Sequence, residues 1–249
     1  MRFGKYLAAA MVSAALVGCG GGSSASLPDD PSASAGVWSG ATTDGRTLLA
    51  FLLSDGSYWL VYGAQDDNDH TAGAAAGTAS SVGNSFTSTD GVDFRLALEG
   101  PTLTPLSIDG TFTPQLTFSG NLRHPSSTSN FITTFVDTLP SHLDNIAGSF
   151  TGQVTASAAN AIEDADISIA SNGSISGSSS SGCTFTGTAA SRADIGVFNV
   201  TLTFGGGACA LGTSTVSGVA YLDAVTHVLY TTAFNASRTQ GFIAIALKS

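Results

Sequence analysis

Apolar and polar residues alternate along most of this 249-residue chain. The clearest case is residues 198–204, where apolar side chains occupy every second position, and residues 228–234 follow the same period. Along residues 93–99, Phe and Leu share one face while charged residues and Ala share the other. Successive side chains of a β-strand point to opposite faces, so these segments predict strands. The apolar run at residues 242–247 predicts a strand that is buried on both faces.

Turn signals separate the alternating segments. Five Asp-Gly or Asn-Gly pairs predict hairpin turns, because both residues of such a pair tolerate positive φ. They are Asp44-Gly45, Asp55-Gly56, Asp90-Gly91, Asp109-Gly110 and Asn172-Gly173. The pattern therefore predicts an all-β fold with antiparallel, up-and-down strands.

A weak internal repeat divides the chain into two halves. The stretch GVWSG at residues 36–40 is echoed by GSFTG at residues 148–152, and SDGSYW at residues 54–59 by SNGSIS at residues 171–176. We therefore predict two tandem units of seven or eight strands, each curled into a small β-barrel or sandwich that hides its sheet edges. One continuous sheet through both halves is the alternative.

The repeat also sets the predicted boundaries. The N-terminal β-domain covers residues 36–137 and the C-terminal β-domain covers residues 148–249. Between them, residues 138–147 are predicted to form a short helical linker, with Pro140 in its first turn and Gly148 as its stop.

The N-terminus has the layout of a secretory signal peptide. Arg2 and Lys5 precede an uncharged apolar run at residues 6–17, which is too short to cross a bilayer. The sequence LVGC that follows, ending at Cys19, resembles the lipobox of the bacterial lipoprotein class. The resemblance implies that residues 1–18 are removed and that Cys19 carries diacylglycerol on its sulfur and an acyl group on its new amino terminus. The membrane is then a partner through the N-terminal lipid anchor.

The residues after Cys19 indicate where the anchor leads. Gly20 stands where an aspartate tends to retain proteins of this class at the inner membrane, so the resemblance implies the outer membrane, on its periplasmic face or the cell surface. Residues 19–35 are rich in Gly and Ser and show no periodicity, which predicts a lipidated flexible tether.

Charge excludes one class of partner. The whole chain has a net charge of −10, and removal of Arg2 and Lys5 with the signal peptide makes it −12. Repulsion from phosphates argues against nucleic acid as a partner, and a cationic protein remains compatible with this charge.

The remaining cysteines, Cys183 and Cys209, predict a disulfide in an oxidising compartment. Two thiols without neighbouring histidines give too few ligands for zinc. A hairpin centred on Ala193 places residue 183 opposite residue 203, so the glycine run at residues 205–207 has to turn Cys209 back towards its partner.

No motif indicates catalysis. The acidic cluster at residues 66–70 lacks the glycine and the glutamate of a calcium loop and is predicted to be a solvated hairpin loop. The four histidines are scattered, and no Gly-x-Ser-x-Gly pentad occurs. We therefore predict no enzyme activity, no metal and no cofactor. A hydrolase whose triad is assembled from distant residues is the alternative.

Two features indicate binding. The aromatic residues Trp38, Tyr58, Trp59 and Tyr62 either pack in a core or line a barrel cavity for a small apolar ligand. On their strand, Tyr58 and Tyr62 point away from Trp59. The stretch Ser217-Gly218-Val219-Ala220-Tyr221 is similar to the SGxxY signature of periplasmic lysozyme-inhibitor lipoproteins. That resemblance implies that Ser217 and Tyr221 contact a protein partner, whereas the same residues also alternate like an ordinary strand.

The sequence thus predicts a lipid-anchored cell-envelope protein with a non-catalytic binding or scaffolding role. A barrel that binds a small apolar ligand or a cationic protein is the first alternative, and a hydrolase is the second.

Overall fold

Seventeen β-strands, one short α-helix and one 3-10 helix form the described part of this chain. The computed structural model describes residues 27–96, 103–159 and 161–249, and only the backbone of residues 67–70. The predicted signal peptide and lipid attachment at Cys19 lie outside the described residues. In the part of the chain that is described, no helix is long and apolar enough to cross a bilayer.

The first nine strands build one antiparallel barrel. They are β1 (Gly36–Thr42), β2 (Thr47–Leu52), β3 (Ser57–Ala64), β4 (Asp67–Thr78), β5 (Ser80–Val82), β6 (Ser85–Arg95), β7 (Leu103–Thr113), β8 (Thr117–Arg123) and β9 (Thr128–Val136). Strand β1 pairs with both β2 and β9, and pairing of β4 with β6 closes a ring of eight strands. The short β5 pairs with β6 outside that ring.

The second barrel repeats this architecture. Its strands are β10 (Gly148–Ala156), β11 (Glu163–Ile169), β12 (Ser174–Ser179), β13 (Thr184–Ser191), β14 (Phe198–Phe204), β15 (Thr215–Leu222), β16 (Val228–Phe234) and β17 (Gly241–Lys248). Each strand pairs with the next, and β17 returns to β10. The predicted all-β fold of two tandem antiparallel barrels is confirmed, and the alternative of one continuous sheet is wrong.

Two of the five predicted hairpin turns are wrong. Asp90-Gly91 lies inside β6 and Asp109-Gly110 lies inside β7. Gly91 follows an irregularity in the β6–β7 pairing, and a Cβ on it would collide with the Oη of Tyr58. Asp109 accepts a hydrogen bond from the Nε of Arg123 at 2.5 Å on the neighbouring strand. These pairs therefore serve close packing and cross-strand pairing, which local turn chemistry does not reveal.

The linker is less helical than predicted. Helix α1 covers only Leu143–Ile146, and Pro140 precedes it. A single turn is not stable by itself, so packing has to hold it. Ile146 is fully buried in the core of the second barrel, and the Ser141 hydroxyl hydrogen-bonds to the Arg192 carbonyl. Tertiary contacts thus hold residues 138–142 in a non-helical path.

The prediction of a flexible tether up to residue 35 is wrong at its C-terminal end. Asp29 accepts a hydrogen bond from the Ser81 amide at 2.6 Å, and residues Pro31–Ala33 form the 3-10 helix. Ser34 is buried, and its carbonyl accepts a hydrogen bond from the Trp38 indole at 3.1 Å. Polar pairing with β5 and β1 therefore fixes a segment whose composition resembles a linker.

An apolar interface joins the outer walls of the two barrels. The ring of Phe51 lies 5.6 Å from that of Tyr221, and Trp59 lies 5.8 Å from Phe234. Val37, Val61 and Phe94 of the first barrel belong to the same buried cluster as Val219 and Ile243 of the second. Strand β17 is largely covered on both faces from Phe242 to Ala246, as the apolar run predicted, whereas Leu247 at its end is 55% exposed.

Candidate functional site

A cavity of about 350 Å³ lies at one end of the first barrel. The β1–β2 and β8–β9 connections and the ends of β3 and β6 surround it. Four apolar side chains form its floor, namely Leu60, Ala75, Leu106 and Leu122. Its mouth carries ionisable side chains, and Asp44 and Arg95 there are 35% and 32% exposed. The volume falls near the lower end of the range for small-molecule pockets.

The mouth is polar because the apolar face of β6 packs against the second barrel and its charged face points into the first. Phe94 and Leu96 point outward and are buried against the second barrel. Side chains alternate along a strand, so Asp93 and Arg95 point into the first barrel and line the cavity. The alternation at residues 93–96 was predicted correctly, but the apolar face packs outside the barrel. The predicted continuation to residues 97–99 lies outside the described residues.

Asp93 is the centre of a polar network across the barrel. Its side chain is only 2% exposed. The Oδ1 atom accepts a hydrogen bond from the Tyr62 hydroxyl at 2.6 Å, and Oδ2 lies 2.8 Å from the Nε2 of His124 and 3.5 Å from the Nε of Arg95. A carboxylate oxygen accepts hydrogen bonds, so this contact selects the His124 tautomer whose Nε2 is the donor. The network pairs a buried charge that would otherwise be costly.

A second ion pair lies at the rim of the mouth. The Nε of Arg46 is 3.2 Å from Oδ2 of Asp44, and the Arg46 guanidinium lies 5.7 Å from the centre of the Tyr62 ring. Burial acts to raise the pKa of Asp44, but the hydroxyls of Thr42 and Ser129 and the Arg46 guanidinium outweigh it and lower the pKa. Asp44 is therefore ionised at neutral pH.

Two buried polar atoms in this part of the first barrel have no hydrogen-bond partner among the described residues. They are Oδ1 of Asp44 and Oγ1 of Thr104. Thr104 is the cross-strand neighbour of Asp93 in the β6–β7 pairing. Buried polar groups in folded proteins nearly always have a partner, and ordered water is one of the partners that they take.

The sequence analysis did not predict the charged residues that line the cavity. A signal was present, because Asp93 and Arg95 are two charges on one face of a strand whose other face is apolar. A charged face of a strand is normally expected to point to solvent, so this pattern did not indicate a cavity. The predicted aromatic residues were placed better: Tyr58 packs in the core of the first barrel, Tyr62 lines the cavity and Trp59 points the opposite way into the interface.

The acidic cluster at residues 66–70 is only partly the hairpin loop that was predicted, because Asp66 lies in the turn and the β3–β4 register jumps from the pair Gly63–Thr71 to the pair Ala64–Asp67. Strand β4 begins at Asp67, so the turn is limited to Gln65 and Asp66, whose φ is 56°. A two-residue connection with positive φ suits a tight hairpin. The side chains of residues 67–70 lie outside the description.

The interior of the second barrel is filled instead of open. Apolar side chains occupy it, and only about 30 Å³ of free space remains near Phe185, Phe204 and Phe242. The predicted disulfide between Cys183 and Cys209 is confirmed, with Cα atoms 4.5 Å apart.

The predicted route to that disulfide is partly wrong. The β13–β14 pairing places Phe185 opposite Phe204, three residues on from the predicted register. Gly206 and Gly207 do have positive φ, at 78° and 61°, as a reversal of the chain requires.

Ser217 and Tyr221 lie on the outer face of β15 but in different surroundings. Ser217 is exposed and lies 3.3 Å from the Thr201 hydroxyl. Tyr221 is 5% exposed and stacks near Tyr230 at the interface, where burial raises its pKa to about 12. A protein partner could touch Tyr221 only if the barrels separated. Their joint role in partner binding stays a prediction.

The mouth also contains an Asp–His pair, formed by Asp93 and His124. Among the described residues, no serine hydroxyl hydrogen-bonds to the ring of His124, although Ser127 and Ser129 also line the cavity. No cluster of three His, Cys, Asp or Glu side chains with metal-binding geometry occurs in the described part of the chain.

Comparison of the sequence with protein-family models and with curated proteins returned no match.

Proposed function

We propose that this chain is a non-catalytic binding protein of the bacterial cell envelope, anchored at the outer membrane through Cys19, whose first barrel takes a small ligand. The cavity of about 350 Å³ carries this proposal. It combines an apolar floor with a few convergent polar groups, which is the composition of small-molecule sites. The disulfide supports an oxidising compartment, and the lipobox supports the anchor.

A cavity-filling variant tests the ligand. Ala75 is 1% exposed on β4 and lines the cavity, so Ala75→Leu adds volume where a ligand would sit. We expect the protein purified from its native membrane to carry a small molecule that mass spectrometry detects after extraction, and Ala75→Leu to lose it. Ala190→Leu, on the exposed outer face of β13, is the matched control and retains the molecule.

The result that would contradict the binding proposal is a protein without any extracted molecule that also fails to take up an apolar fluorescent probe. Thermal melting of both variants separates loss of binding from loss of folding.

The anchor is tested separately. Cys19→Ser removes the sulfur that the lipid would use, so we expect the variant to leave the membrane fraction or to keep its signal peptide. A variant that is processed normally and fractionates with membranes as the parent does would show that the anchor assignment is wrong.

A further inference from the structure

We propose that the ligand of the first barrel is a small amphiphile with a carboxylate head, held by the guanidinium of Arg95 above the apolar floor. This inference rests on the proposed binding function and specifies the chemical class of the ligand.

The first step is the state of the acidic groups at the mouth. Both oxygens of Asp93 already accept hydrogen bonds, from Tyr62 at 2.6 Å and from His124 at 2.8 Å. Asp44 has the Arg46 guanidinium beside it at 3.2 Å. A cationic head would therefore compete with partners within the protein for both carboxylates.

The second step is the state of Arg95. The one side-chain hydrogen bond or ion pair that Arg95 makes with the described residues is the long 3.5 Å approach of its Nε to Asp93. Its two terminal nitrogens thus keep their donors available at a side chain that is 32% exposed and lines the cavity. A guanidinium presents these donors as a planar fork that matches the two oxygens of a carboxylate.

The third step is the body of the ligand. Below the polar network, the cavity contacts Leu60, Leu106 and Leu122, which are side chains without hydrogen-bonding groups. An unbranched apolar chain can bury its surface there, while its head stays at the mouth. The cavity therefore fits a small molecule that has a charged head at one end and an apolar body at the other.

The experiment compares three heads on one chain. Isothermal titration of the purified full chain with octanoate, octanol and octylamine, each below its micellar concentration, reports the effect of the head alone. We expect octanoate to bind about tenfold or more tightly than octanol, as hydrogen bonds to a charged group predict, and octylamine to bind most weakly.

Two substitutions assign the difference to Arg95. Arg95→Gln should bring octanoate to the affinity of octanol, and Arg95→Lys should restore part of the preference because it keeps the charge without the fork. Arg123→Gln is the matched control, since Arg123 pairs with Asp109 on an exposed surface and should leave all three affinities unchanged. If Arg95→Gln fails to fold, the comparison of heads on the unmodified protein still decides.

Equal affinity for octanoate and octanol would overturn the carboxylate inference and leave the binding function standing. Absence of binding by all three would also overturn it. The proposed function itself then fails only if extraction of the native protein yields no bound molecule and the protein takes up no apolar fluorescent probe.

Discussion

The two barrels have the same number of ring strands and the same topology. They differ in the side chains that point inward at the corresponding end. The fifth strand of the first ring is β6, which directs Asp93 and Arg95 inward, whereas the fifth strand of the second ring is β14, which directs Val200 and Leu202 inward. A closed eight-stranded ring has an interior just wide enough for side chains to fill. The inward charges Asp93 and Arg95 thus stand in the first ring where Val200 and Leu202 help to fill the second.

The loops at that end reinforce the difference. In the second barrel, the β12–β13 and β14–β15 connections carry Cys183 and Cys209, and Leu211 is buried between these connections and the core. In the first barrel, the corresponding region near the ends of β3 and β6 contains the mouth of the cavity. The second barrel is thus sealed where the first is open, and under the proposed function the first barrel binds the ligand while the second supports it.

The largest expected effect contrasts two leucines. Leu202 fills the second barrel, so Leu202→Ala should lower the free energy of unfolding by about 4 kcal/mol, because the neighbours cannot collapse into the space. Leu122 lines the cavity of the first barrel, so Leu122→Ala should lower it by only about 2 kcal/mol. Urea unfolding measures both. Equal losses of unfolding free energy would show that Leu122 is packed as tightly as Leu202 despite the cavity beside it.

The disulfide should matter next. It closes a loop of 26 residues, and its removal by Cys183→Ala with Cys209→Ala should cost about 3.5 kcal/mol in the chain-entropy model. Urea unfolding with and without a reductant checks this, since the reductant should destabilise the parent and not the double variant. Uptake of an apolar probe should persist, because the cavity lies in the other barrel. Loss of uptake would contradict the division between the two barrels.

A polar contact at the barrel interface should have a smaller effect. Burial acts to raise the pKa of Asp194, but the side chains of Arg192 and Ser54 outweigh it and lower the pKa. A lowered pKa stabilises the fold above the ordinary pKa of Asp, and this stability is lost as the pH falls through the folded value. Asp194→Asn should therefore cost about 1.5 kcal/mol at pH 7.

The same variant provides its own control. The difference between Asp194→Asn and the parent should shrink as the pH falls below about 4, where the unfolded aspartate gains a proton. Thermal melting at several pH values tests this. A difference that stays constant down to acid pH would show that the charge of Asp194 does not bridge the barrels through Ser54.

The smallest effect concerns Thr232, whose Oγ1 is buried without a partner among the described residues. The side chain lies on the same face of β16 as Tyr230 and Phe234, at the apolar interface between the barrels. Thr232→Val should stabilise the protein by about 1 kcal/mol, because a methyl group replaces an unpaired hydroxyl. Thr186→Val, on an exposed position of β13, should be neutral. Destabilisation by Thr232→Val would indicate that the hydroxyl has a partner.

The sequence alone was sufficient to predict the all-β class and the division of the chain into two units. Alternation at residues 198–204 and the apolar run at residues 242–247 depend on burial along a single strand, which a two-residue period reports directly. The repeat predicted two units, each a small barrel or sandwich, and the location of Cys183 and Cys209 in a chain with a predicted export signal predicted their disulfide. Each of these inferences uses only local pattern or composition.

Tertiary structure decided which face of each strand meets which core. The period of β6 is the same whether Phe94 or Asp93 faces the barrel interior, and only contact with the second barrel directs Phe94 outward. The same contact buries Tyr221 and leaves Ser217 exposed. The polar network at the mouth of the cavity arises from this choice, because Asp93, Tyr62 and His124 are far apart along the chain and meet only when the ring closes. A sequence pattern specifies that a strand has an apolar and a polar face. Packing between the two barrels decides which of these faces points into the barrel interior.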